Sequence, residues 1–113
     1  MIVVIADDFT GAAEVAAIAM CHGLKTEIQT ELDVTSDAEL LVIDTDTRSL
    51  KPHRAAEIIT QTIKQICAIE PKWIYKKIDS VLRGPVVCEL EAMLDITDAD
   101  RVLLIPANPS LAR

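Results

Sequence analysis

Short β-branched apolar runs alternate with helical periodicities along the whole chain, and most of the runs end in a charged or polar cluster. Ile2 to Ala6 is continuously apolar and reads as a buried strand. Gly11 to His22 is Ala-rich and ends at Gly23, as a helix closed by a C-terminal glycine does. Lys25 to Thr30 alternates weakly as a second strand, Thr35 and Ser36 fall in a polar connection, and Glu39 to Asp44 reads as a third strand. Pro52 opens a helix in which Ala55, Ile58, Ile59, Thr62, Ile63, Ile66 and Cys67 form one apolar stripe, and Pro71 stops it. Lys72 to Ile78 reads as a fourth strand. Pro85 suits the first turn of another helix, whose expected buried face is Val86, Val87, Leu90, Met93 and Leu94. Arg101 to Ile105 reads as a fifth strand ended by Pro106.

Strands alternating with helices predict an α/β fold: an open, mostly parallel sheet of about five strands with helices on both faces. The 113 residues fit one domain, 1–113, since domains run to roughly 100–200 residues. The fifth strand lacks a following helix, so the expectation is an incomplete domain. Half the residues are hydrophobic and only 3% aromatic, so the core is aliphatic. The net charge of -7 argues against nucleic acid, which needs clustered Lys and Arg. No apolar run approaches the roughly 20 residues of a membrane helix, and the N-terminus has no basic stretch of a signal peptide. Cys21, Cys67 and Cys88 are widely spaced, which fits reduced thiols in a cytoplasmic protein. His22 and His53 have no partner at ligand spacing, so no metal site is expected.

Ligands of open parallel sheets bind beyond the carboxyl ends of the strands, and here those ends are charged. The first expected strand runs into Asp7 and Asp8, then Thr10 and Gly11. The third runs into Asp44-Thr45-Asp46-Thr47-Arg48, and the fourth into Lys76, Lys77, Asp79, Ser80, Arg83 and Gly84. The fifth ends in Pro106-Ala107-Asn108. Singly, each has a plain structural reading. Asp7 or Asp8 complements a helix N-terminus, Asp44 to Arg48 is a solvated loop, one of Lys76 and Lys77 pairs structurally, and Ser80 caps a helix. Together they offer carboxylates for hydroxyls, an Arg fork for an anion, and glycines at helix starts where anions bind. Such a rim suits a small sugar acid.

Two other likenesses share some of these residues. Asp44-Thr45-Asp46-Thr47 resembles the nucleophile motif of haloacid-dehalogenase-type phosphotransferases, but that family places this motif ahead of its acidic pair. A response-regulator receiver has an acidic pair after strand one and a phosphorylated Asp after strand three, places that Asp7, Asp8 and Asp44 would fill. It also carries a Lys-Pro after strand five, where this chain has Ile105-Pro106.

Ala6-Asp7-Asp8-Phe9-Thr10-Gly11-Ala12, Asp44-Thr45-Asp46-Thr47-Arg48, Tyr75-Lys76-Lys77-Ile78-Asp79-Ser80-Val81-Leu82-Arg83-Gly84 and Pro106-Ala107-Asn108-Pro109 together resemble the N-terminal domain of the four-carbon acid sugar kinase family. The resemblance covers essentially the whole chain. It implies phosphorylation of threonate, erythronate or 3-oxo-tetronate with ATP and a divalent metal, the nucleotide being held by a separate C-terminal domain. It makes Asp8, Arg48, Asp79, Ser80 and Arg83 substrate-binding, with Arg48 or Arg83 as the carboxylate clamp and Asp8 and Asp79 orienting hydroxyls. Asp7, Thr10, Gly11, Asp46, Lys76, Lys77 and Gly84 support them, and no general base is assigned. Val81 stands where the family has Thr, Asn108 where Phe is common, and Ala112-Arg113 where Gly-Arg is usual. With no Gly-rich phosphate loop, the chain is expected to be a truncated half, inactive alone and binding neither ATP nor metal, its fifth strand left uncovered unless a missing segment or a second copy in a homo-oligomer covers it.

Overall fold

Alternation of side chains along the first strand divides the core in two. In the structure, a computed structural model that describes residues 1–112, β1 (Ile2–Ala6) sends Val3 and Ile5 to one face of the sheet and Val4 and Ala6 to the other. Successive strand residues point to opposite faces, so both faces must be covered. The chain continues as α1 (Phe9–Cys21), β2 (Thr26–Gln29), β3 (Leu40–Asp44), α2 (Pro52–Ala68), β4 (Trp73–Lys77) and α3 (Val86–Ile96), with a single 3-10 turn at Pro109–Leu111. Arg113 lies outside the described residues.

All pairings are parallel, in the order β2-β3-β1-β4. β1 is central: Ala6 stands beside Asp44 of β3 and Lys77 of β4. That register brings the chain segments that follow Ala6, Asp44 and Lys77 to one rim. α1 covers Val4, Ala6, Leu40 and Val42 with Ala12, Ala16 and Ala19, small residues that let the helix lie close to the sheet. α2 covers Val3, Ile5, Leu41 and Ile43 with Ile59, Ile63 and Ile66, and α3 adds Ala92. The apolar stripe expected on α2 is thus its buried face. From β1 the chain goes out to β2 and β3 on one side and then returns past β1 to β4 on the other, the reversal of order at which open α/β sheets leave a crevice. Among the described residues no helix is long and apolar enough to cross a membrane.

The α/β architecture follows the sequence reading, with two corrections. The sheet has four strands, not five. Residues 101–105 run without ladder partners, and Leu103 is 85% exposed. Their composition gives β propensity, but a strand also needs a paired neighbour, and propensity does not supply one. The outer edge of β4 therefore stays open, with Trp73 and Tyr75 exposed. The second correction is the rotation of α3. Its buried residues are Val86, Glu89 and Ala92, while Val87 is exposed. An acidic side chain occupies the inward position because a lysine from β4 meets it there.

The strand order also separates the chain from receivers, whose doubly wound sheet runs 2-1-3-4-5.

Candidate functional site

Asp8 starts the site from the backbone upward. It is the N-cap of α1, and its Oδ1 accepts the Gly11 N–H at 2.9 Å, satisfying one of the helix's unpaired donors. A Cβ on Gly11 would lie 2.8 Å from that same oxygen, so glycine here is a matter of space. Asp7 precedes it and is almost fully buried.

Arg48 lies between the two. From the loop after β3, its Nε donates to Asp7 Oδ2 at 2.9 Å and its Nη2 to Asp7 Oδ1 at 3.1 Å. Nη1 donates to Asp8 Oδ2 at 2.9 Å and Nη2 also to Asp8 Oδ1 at 3.0 Å. A guanidinium has five N–H donors in a planar fork, and the acidic pair takes four contacts from it. Its pKa is raised, first by the hydrogen bonds it donates to Asp7. Nη1 stands 3.8 Å from Asp79 Oδ1, so the ends of β1, β3 and β4 meet at this one side chain. Gly84, at φ +85, is needed behind it, since a Cβ there would come within 3.1 Å of the Arg48 carbonyl oxygen. Asp46, also in the left-handed region, closes a turn by donating its N–H to Asp44 Oδ1. Burial raises the pKa of Asp44, with the neighbouring Asp46, Asp8 and Asp7 charges adding to it.

Arg83 is held differently. Its Nε and Nη2 donate to Asp79 at 2.9 and 2.8 Å, and Asp79 Oδ2 also accepts the N–H groups of Val81 and Arg83. Asp79 is buried, yet the Arg83 side chain is 66% exposed, so its remaining N–H donors face solvent. The Arg83 bonds, followed by those backbone N–H groups, hold the Asp79 carboxyl well below the usual carboxylate range. A depressed folded-state pKa contributes stability that is complete above the unfolded value, about 4, and is lost as pH falls below it. The thermal midpoint should therefore fall more steeply between pH 5 and pH 2 in the native chain than in Asp79→Asn. Parallel curves for the two would contradict the pairing.

The two lysines divide as their alternation in β4 requires. Lys77 turns toward α1, 3.3 Å from Glu14, and Lys76 turns toward α3, where its buried Nζ lies 2.8 Å from Glu89 Oε2.

A cleft of about 730 Å³ opens over this rim. Asp8, Thr10, Gly11, Arg48, Lys77, Asp79, Ser80 and Arg83 all line it. Pro106, Ala107 and Asn108 reach it too, although the strand expected to deliver them is absent. Asp7, Asp46, Lys76 and Gly84 lie outside the lining and support it from beneath or behind. Sequence reasoning missed Glu14, Thr47 and Glu89. Glu14 falls on the same turn-face as Gly11 and Thr10, a helical spacing that was legible, whereas Glu89 sits in an apolar face and its role depends on a tertiary partner.

The model for the sugar-binding N-terminal domain matches residues 2–113. The chain belongs to that family. This sugar-binding N-terminal domain is 30% identical over 114 residues to a D-threonate kinase of Salmonella typhimurium, covering 98% of this chain and 27% of that one. It is 31% identical over 111 residues to a D-erythronate kinase of Heliobacterium modesticaldum, covering 94% and 25%. The chain thus spans about a quarter of the length of these curated relatives. A crystal structure of a domain of unknown function from Bordetella bronchiseptica, a domain-swapped dimer with bound citrate, superposes with a TM-score of 0.76 at 29% identity. It covers 81% of this chain and 25% of that one.

The described residues gather no group of three His, Cys, Asp or Glu side chains that would hold a metal ion, and the acidic pair is committed to Arg48.

Proposed function

We infer that the chain is the sugar-acid-recognition part of a four-carbon acid sugar kinase, binding a small hydroxy acid of the threonate or erythronate type in the cleft at the strand ends. The observation that carries this is the pairing, in one cleft, of an exposed guanidinium fork with carboxylates held in fixed orientation. Arg83 grips the ligand carboxylate with the donors that Asp79 leaves free. Asp8 and Asp79 accept from ligand hydroxyls, and Ser80, Thr10 and Lys77 complete the wall. Arg48 keeps the two aspartates of β1 in place and acts on the ligand through them. The kinase names of the relatives and the citrate in the solved one support an acidic, hydroxylated ligand.

Phosphoryl transfer depends on positioning and charge neutralisation around the transferred group. In this reading the nucleotide and its metal are brought by another part of the kinase, and the chain alone is inactive. Its three free thiols suit a reducing compartment such as the cytoplasm. Calorimetric titration with D-threonate, D-erythronate and a neutral four-carbon polyol tests the assignment. Binding of the acids and not of the polyol is expected, and equal or absent binding of all three contradicts it.

Self-association is a second reading. It is favoured by the open edge of β4, where Trp73, Leu90, Met93 and residues 102–105 border an apolar groove of about 770 Å³, and by the domain-swapped dimers of the solved relative. Sedimentation at rising concentration should show a dimer, and a monomer throughout removes this reading.

A further inference from the structure

Behind the cleft, on the opposite face of the sheet, lies a buried polar chain that the recognition reading does not use. Lys76 in β4 and Glu89 in the first turn of α3 are paired at 2.8 Å, with side chains only 5% and 2% exposed. The Thr47 hydroxyl donates to the other oxygen of Glu89, and Thr47 itself is fully buried. Thr45 Oγ1 lies 2.9 Å from Thr47 Oγ1 and 2.9 Å from the Ala6 carbonyl. The Ala6 carbonyl also accepts the Thr45 backbone N–H, and its two lone pairs take both bonds, so Thr45 is tied to the end of β1 by its N–H and its hydroxyl. Glu89 thus accepts from Lys76 on one oxygen and from Thr47 on the other. Every buried side-chain oxygen and nitrogen among the described residues has a partner.

A buried ion pair is a weak device for stability alone, because desolvating both charges offsets much of their attraction, and a well-packed apolar pair often serves as well. What such a pair supplies is a fixed position. Here the position fixed is that of residues 45–47, and Arg48 follows directly, with its backbone N–H on the Asp7 carbonyl. The carboxylate also sits at a helix N-terminus, where the helix dipole favours negative charge, so α3 anchors the far end.

We propose that Thr47, Glu89 and Lys76 are positioning residues that hold the loop after β3 so that Arg48 spans Asp7 and Asp8, coupling α3 to the geometry of the ligand cleft. The consequence for ligand affinity rests on the recognition reading, while the consequence for Arg48 does not.

The test uses the 113-residue chain, labelled with nitrogen-15, and reads the Arg48 Nε–H resonance and its hydrogen exchange without ligand. Thr47→Val, close in shape but lacking the hydroxyl, should shift that resonance and speed its exchange. It should also weaken D-threonate binding by roughly five- to tenfold, the size of one lost hydrogen bond. Thr47→Ser, which restores the hydroxyl, should recover both. The apolar double variant Lys76→Met with Glu89→Leu removes the acceptor while leaving the space filled, and should change the Arg48 signal as Thr47→Val does, even if the valine variant folds poorly. An unchanged Arg48 signal and exchange rate in either folded variant overturns the proposal. If the native chain takes up no D-threonate, the recognition reading fails, and the Arg48 signal still decides this one.

Discussion

Replacing Arg48 by methionine should lower the thermal midpoint by on the order of 15 °C or more. The guanidinium is the shared partner of Asp7 and Asp8, and methionine keeps the apolar stem while removing every donor. Asp7 is 2% exposed, so its charge is left without water and without a counter-ion. Removing one member of a buried charge pair costs about 3–5 kcal/mol, and each kcal/mol moves the midpoint of a domain near this size by about 4–8 °C. A scanning calorimetry midpoint within about 4 °C of the native chain would show that the acidic pair does not need Arg48. The sequence made Arg48 an equal candidate for the ligand clamp. Four of its five donors are already taken by Asp7 and Asp8, which is why the expected effect is on the fold.

Arg83→Met should behave in the opposite way. Its side chain stands mostly in solvent, and Asp79 keeps the N–H groups of Val81 and residue 83 and the proximity of Arg48. The thermal midpoint should fall much less than for Arg48→Met. The affinity for D-threonate should drop by roughly 10–150-fold, the equivalent of one charge-assisted hydrogen bond, while any weak binding of the neutral polyol is unaffected. Arg83→Lys should recover only part of the loss, because an ammonium keeps the charge without the fork. An unchanged affinity in Arg83→Met would remove this residue from the clamp role.

These opposite expectations show what the sequence could and could not express. Continuous apolar runs marked β1 and β3, weak alternation marked β2, residues 72–78 marked β4, and Ala content, a three- and four-residue stripe and Pro85 marked the three helices, because all of these signals are local in the sequence. The parallel register then brought Asp8, Arg48, Asp79 and Arg83 together, as the strand-end rule anticipates. Residues 101–105 misled because strand formation depends on a partner distant in the sequence. Val87 and Glu89 misled because a helix face is chosen by what it meets, and an acid can turn inward once Lys76 is there. The division of labour between Arg48 and Arg83 was illegible for the same reason: both are arginines near aspartates, and only the fold decides whose donors remain free.

The central claim is that one rim reads the carboxylate and the hydroxyls of the same small molecule. Its most direct measurement is the calorimetric comparison of D-threonate with the four-carbon polyol that lacks only the acid. The account predicts a saturable, one-to-one exothermic signal for the acid, diminished by salt and missing for the polyol. Indistinguishable heats for the two, or none for either, would contradict it.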